Sequence, residues 1–123
     1  MAKQASIAVV DDDESVRESL LPLLKLLGFT ARAFLSPEEF LASDFLRETD
    51  CLILDVTMKG MSGPQLQTEL GRLGSKIPII FITAESDKSL HRRLVEQGAV
   101  ACLLKPFSDT ALTEALNVAL RVN

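Results

Sequence analysis

Tryptophan and tyrosine are absent from this sequence, and six phenylalanines are its only aromatic residues. A platform of rings for stacking single-stranded bases is therefore not expected. Cysteine is scarce: Cys51 and Cys102 stand far apart with no CxxC pair, which argues against a zinc site or a disulfide framework. A reducing cytoplasm is the expected compartment. A basic excess is also missing. Thirteen Lys and Arg against seventeen Asp and Glu leave a net charge of −4, so no direct nucleic-acid binding is expected of this chain. Long apolar runs are lacking too. After Met1-Ala2-Lys3 the run at residues 7–10 stops at Asp11, too short for a signal-peptide core. Residues 20–27 are interrupted by Pro22 and Lys25 and cannot span a bilayer. Gly60, Gly63 and Gly74 form neither GxGxxG nor GxxxxGK[ST], so a nucleotide-binding reading has no loop to use. His91 is the single histidine; it is expected on the surface of its helix and forms no set with a serine and an acid.

What is present is an ordinary globular composition, 47% hydrophobic and 24% charged over 123 residues, enough for one domain spanning residues 1–123. Short β-branched runs alternate with helical stripes. Residues 7–10 read as a buried strand, followed by the stripe Val16, Leu20, Leu23, Leu24 and Leu27, ended by Gly28. Pro22 falls on the opposite side of that helix, where a bend leaves the buried stripe intact. Residues 30–34 form the second strand. Ser36, Pro37 and Glu39 open a helix with a capping box. Residues 44–50 carry no clear pattern. Residues 51–54 are the third strand, leading into Asp55, and Leu66, Leu70 and Leu73 stripe the next helix, with Gly71 as a close-packing residue inside it. Residues 77–82 are the fourth strand, ending in Thr83. Leu90, Leu94 and Val95 stripe the fourth helix. Residues 100–104 are the fifth strand, ending at Lys105-Pro106, and Ser108 or Asp109 caps a last helix striped by Leu112, Leu116 and Leu120. Strands that are apolar throughout, each followed by a helix, predict a doubly wound α/β domain whose parallel sheet is covered on both faces.

In such a sheet ligands bind at the carboxyl ends of the strands. Strand one ends in Asp11-Asp12-Asp13, strand three in Asp55, strand four in Thr83 and strand five in Lys105. Taken singly, each is an ordinary cap or turn residue. Together they bring several carboxylates to one edge, where mutual repulsion calls for a divalent cation. Carboxylates with a carbonyl and waters suit Mg²⁺, a metal that works beside phosphate. Lys105 and the Thr83 hydroxyl can bind phosphoryl oxygens, and an aspartate in this setting can form an aspartyl-phosphate.

The set Asp11-Asp12, Asp55, Thr83-Ala84 and Lys105-Pro106 resembles the receiver domain of two-component response regulators, most closely receivers of the FixJ type. The stretches Val9-Val10-Asp11-Asp12-Asp13-Glu14-Ser15-Val16-Arg17 and Met58-Lys59-Gly60-Met61-Ser62-Gly63 resemble that family's first loop and the loop after its phosphoacceptor. The resemblance implies a five-stranded sheet in the flavodoxin-like order 2-1-3-4-5. It implies that Asp55 accepts a phosphoryl group from a phosphohistidine on a sensor kinase or phosphotransfer protein. Asp12 and Asp55 would bind Mg²⁺ directly, Thr57 through its backbone carbonyl and Asp11 through water, while Thr83 and Lys105 contact the phosphoryl oxygens. Thr57 and Glu85 would tune hydrolysis. The helix 4–strand 5–helix 5 face would be the output surface, toward a second copy or a downstream domain.

Three positions depart from that pattern. Cys102 stands where an aromatic switch residue is usual, so the coupling of Thr83 to a rotating ring cannot operate in the family's way. Lys59 replaces a proline after Met58, which leaves that loop less rigid, and Pro22 lies inside helix one. Two other functions compete. A small Mg²⁺-dependent phosphatase with an aspartate nucleophile would carry a second acid two residues after Asp55, where Thr57 stands, and would need a cap region. An interaction module with an altered switch is the other, kept open by Cys102.

Overall fold

A computed structural model describes residues 4–121; the basic start at Met1-Ala2-Lys3 lies outside the described residues. The elements run β1 (Ser6–Val10), α1 (Glu14–Leu26), β2 (Thr30–Phe34), α2 (Pro37–Leu41), a short 3₁₀ helix (Asp44–Glu48), β3 (Cys51–Asp55), α3 (Gly63–Arg72), β4 (Ile79–Thr83), α4 (Lys88–Glu96), β5 (Ala101–Leu104) and α5 (Asp109–Arg121). All strand pairs are parallel, and the sheet order is β2-β1-β3-β4-β5, as expected. Among the described residues no helix is long and apolar enough to cross a membrane.

The sheet divides two cores by simple alternation along its central strands. Ala8, Val10, Leu52, Leu54, Ile79 and Phe81 face Phe40, Leu66, Leu70 and Leu94 of α2, α3 and α4. Ile7, Val9, Cys51, Ile53, Ile80 and Ile82 face Leu20 and Leu24 of α1 and Leu112 and Leu116 of α5. Both faces of β1, β3 and β4 are thus dry, which is why these strands read as uninterrupted apolar runs. The edge strands differ from the expectation of full cover. β2 mixes buried and exposed residues, and Leu104 of β5 is 43% exposed, because an outer strand has a neighbour on one side only.

Other boundaries shift for local reasons. Ile77 and Pro78 precede β4 rather than opening it, although the Pro78 carbonyl still accepts from the Leu52 N–H, a pairing in which proline needs no donor. Residues 44–48 form the 3₁₀ helix, with Phe45 buried; one apolar anchor in a polar segment leaves no period to read. Leu27, Leu73 and Val95 are exposed, since each lies at or near a helix end where the stripe turns away from the sheet. Pro22 is exposed on α1 as predicted. In the expected capping box, Ser36 accepts from the Glu39 N–H, but the Glu39 carboxylate accepts from Leu35 one residue upstream of the cap. At α5 the capping oxygen belongs to Ser108, which accepts from Ala111 N–H.

Candidate functional site

Strand order reverses between β1 and β3, and a doubly wound sheet opens a crevice at such a point. Asp11 follows β1 and Asp55 ends β3, so both side chains enter that crevice. Asp11 is completely buried and Asp55 nearly so. The three consecutive aspartates divide their work. One oxygen of Asp11 accepts the Asp13 N–H at 2.9 Å, which folds the turn after β1. Asp13 caps α1, accepting from the Ser15 N–H and hydroxyl at 2.9 and 2.8 Å; these bonds hold its carboxyl below the usual range. Asp12, exposed like Asp13, turns its side chain the other way, and its Oδ2 accepts from the Lys59 N–H at 3.3 Å. The carboxylate oxygens of Asp11, Asp12 and Asp55 lie within 4.8 Å of one another.

Lys105, just past β5, closes the group. Its Nζ donates to Asp11 Oδ2 at 3.0 Å and to Asp55 Oδ1 at 3.3 Å, while its backbone N–H donates to the Thr83 carbonyl. The Lys105–Pro106 peptide bond is cis. Burial works to lower the Lys105 pKa, but the hydrogen bond to Asp11 and the charges of Asp11 and Asp55 together hold it above its ordinary value. For Asp55 the balance goes the other way. Burial first, then the Asp11 charge, push its carboxyl up to about 6 against the pull of Lys105. One ammonium shared between buried carboxylates leaves negative charge uncompensated, and three acidic oxygen donors in reach of each other suit a hard divalent cation.

Thr83 ends β4, 2% exposed, and its hydroxyl oxygen accepts the Glu85 N–H at 3.0 Å. Thr57 and Glu85 are both exposed, on the loops that follow β3 and β4. Cys102 of β5 is half-buried against the α3–α4 core, and burial pushes its thiol up to about 11, so it behaves as a small hydrophobe. The structure therefore gathers Asp11, Asp12, Asp55 and Lys105 directly and sets Thr83 at the neighbouring strand end.

Four features escaped the reading of the sequence. Gly71, expected to pack closely, faces open space, whereas a Cβ at Gly63 would lie 2.3 Å from the Asp55 carbonyl oxygen and 3.0 Å from the Phe81 ring. Gly63 begins α3 directly beneath β3, and nothing in its sequence neighbourhood marks that close approach. Arg17 donates to the Asp11 carbonyl at 2.8 Å, tying α1 to the acidic turn. Glu38 of α2 accepts from the Met61 N–H at 3.3 Å; with the Asp12 contact to Lys59, it anchors the loop in which a proline is missing. His91 is not simply a surface residue. It is half-buried, and its Nε2 lies 2.7 Å from the Glu85 carbonyl oxygen.

The comparisons with known proteins assign a family to this doubly wound α/β domain with an acidic, lysine-bridged crevice at its switch point. The family model of the response regulator receiver domain matches residues 7–117. Nodulation protein W of Bradyrhizobium diazoefficiens is 45% identical over 113 residues, covering 92% of this chain and 50% of that protein. The transcriptional regulatory protein TdiR of Thauera aromatica is 40% identical over 119 residues, 97% of this chain and 52% of TdiR. Among solved structures, response regulator StyR superposes with a TM-score of 0.89 at 40% identity, covering 98% of this chain and 61% of that one. The FixJ-N crystal structure does so at 0.86 and 36%, covering 98% and 96%. This chain belongs to the response regulator receiver domains of two-component systems, a family of signalling proteins. It spans about half the length of the curated relatives it matches.

Proposed function

We propose that residues 1–123 act as one phosphoacceptor domain in which Asp55 takes a phosphoryl group from a phosphohistidine on a sensor histidine kinase or phosphotransfer protein of the cytoplasm. An Asp55 oxygen attacks phosphorus, the phosphorus–nitrogen bond breaks, and its electron pair stays on the departing imidazole. The product is an acyl phosphate, which water later hydrolyses to inorganic phosphate and the free carboxylate. The observation that carries this reading is the meeting of Asp11, Asp12 and Asp55 within 4.8 Å, with the Lys105 ammonium on Asp11 and Asp55.

Each residue has a role in that step. Asp12 and Asp55 would hold Mg²⁺ with their carboxylates, Thr57 with its carbonyl and Asp11 through water. The bound cation would supply charge neutralisation and orientation of the phosphoryl oxygens. Lys105 neutralises a phosphoryl oxygen after attack, and the Thr83 hydroxyl donates to another. Thr57 and Glu85, exposed beside the crevice, tune the approach of water. Thr57 also stands where a phosphatase of the alternative class would carry its second acid, so the signalling reading is preferred. Output passes through α4, β5 and α5, where Val95, Leu104 and Val118 are exposed, to a second copy or a downstream domain. With Cys102 in place of a ring, the movement is expected in the β4–α4 loop and α4 themselves.

Incubation with acetyl phosphate and Mg²⁺ should add one phosphoryl mass to the protein and none to Asp55→Asn. Glu85→Ala and Thr57→Ala should be labelled as fully and lose the label at a changed rate. Label persisting on Asp55→Asn at another residue would overturn the assignment.

A further inference from the structure

We propose that His91 is a positioning residue that latches the β4–α4 loop in its unphosphorylated arrangement. The inference rests on the reading that the Thr83 hydroxyl turns to a phosphoryl group on Asp55. Glu85 is held through both of its backbone groups, which belong to adjacent peptide units. Its N–H donates to Thr83 Oγ1 at 3.0 Å, and its carbonyl lies 2.7 Å from His91 Nε2. A carbonyl can only accept, so Nε2 carries the hydrogen of that bond. His91 sits in the first turns of α4, whose start is fixed by Asp87 accepting from the Ser89 N–H and by the His91 N–H donating to the Asp87 carbonyl. The ring therefore reaches back from an anchored helix to the residue whose N–H occupies the Thr83 hydroxyl.

The consequence is mechanical. Residues 84–87 are all exposed and have no core packing to hold them, so their arrangement depends on these few hydrogen bonds. When Thr83 turns its hydroxyl to a phosphoryl oxygen, the Glu85 N–H loses its acceptor. A free loop would follow Thr83 or rearrange to satisfy that N–H with water. With its carbonyl pinned by His91, Glu85 has less freedom to do either, and the unmet donor counts against the phosphorylated state. His91 thus biases the loop toward the unphosphorylated arrangement and links it to α4, the element that carries the output face. That link matters more in a chain where Cys102 supplies no ring to report on Thr83.

The test uses beryllofluoride with Mg²⁺ as the phosphoryl mimic, with affinity followed by titration on the parent, His91→Leu and His91→Gln. Leucine removes the donor and glutamine replaces it with an amide N–H of similar reach. His91→Leu should bind the mimic about three- to fivefold more tightly, roughly what one net hydrogen bond carries. His91→Gln should return to the parent value. In a Thr83→Ala background the His91→Leu effect should vanish, since the acceptor that the latch protects is gone. Unchanged or weaker binding by His91→Leu overturns the proposal. So does a His91→Gln protein that behaves like His91→Leu, or an effect that survives in Thr83→Ala. A parent that neither binds the mimic nor takes label at Asp55 defeats the phosphoacceptor reading itself, and the latch falls with it; the parent titration tells the two failures apart.

Discussion

Asp55 shows how one buried carboxylate can weaken the fold that holds it. Its carboxyl titrates near 6 in the folded protein because it is buried beside Asp11, against an ordinary value of 3.8. The folded state therefore holds the Asp55 proton more tightly than the unfolded chain does. Below pH 4 both states carry the proton and the residue is neutral in its effect. Between pH 4 and 6 stability falls as the pH rises, and above 6 the loss is complete. Asp55→Asn removes that loss. In chelator, it should be more stable than the parent at pH 7.5, by on the order of 1 kcal/mol and with a higher melting temperature, and match it at pH 4. An Asn variant less stable than the parent at pH 7.5 would mean that Lys105 more than compensates the buried charge. Lys105, held above its ordinary pKa by the same carboxylates, keeps its charge throughout this window and adds no pH dependence of its own.

At the scale of the element, the start of α3 lies close against β3. Ser62 caps the helix with a full capping box to Gln65, and Gly63 lets the first turn lie against β3, with a Cβ there only 2.3 Å from the Asp55 carbonyl oxygen. Gly63→Ala must push α3 off the strand or shift Asp55, and should cost about 3 kcal/mol while slowing phosphorylation. Gly71, later in the same helix, has nothing within 4 Å of its missing Cβ. Gly71→Ala should stabilise the protein by about 0.5–1 kcal/mol through helix propensity alone and leave phosphorylation untouched. Urea unfolding of the two variants checks both signs in one measurement, and equal effects would show that the close approach at Gly63 is relieved cheaply.

At the scale of the whole molecule, three strand ends meet at an edge whose negative charge is only partly met by Lys105, so a cation that binds the folded state should raise stability by mass action. Mg²⁺ should raise the melting temperature at pH 7.5 by several degrees, and much less at pH 5, where protonation of Asp55 competes with metal. Asp12→Ala, which removes an exposed carboxylate without disturbing the core, should abolish the difference; a parent with equal midpoints in Mg²⁺ and chelator would count against a metal site. The sequence by itself determined the fold class, the central strands and the residues at their carboxyl ends, because a parallel strand dry on both faces must be apolar throughout and must deliver its next polar residue to one common edge. That is why Asp11, Asp12, Asp55, Thr83 and Lys105 could be named from the sequence. Residue type and spacing alone could not separate the three aspartates, since capping, turn-making and ligation all use the same side chain; their hydrogen bonds make Asp13 a cap, Asp11 a partner of Lys105 and Asp12 an acceptor from the Lys59 N–H. Nor could it tell Gly63 from Gly71 or find the reach of His91 to Glu85. Those depend on how closely backbones approach and on which loop faces which helix, and such distances between elements have no period along the chain.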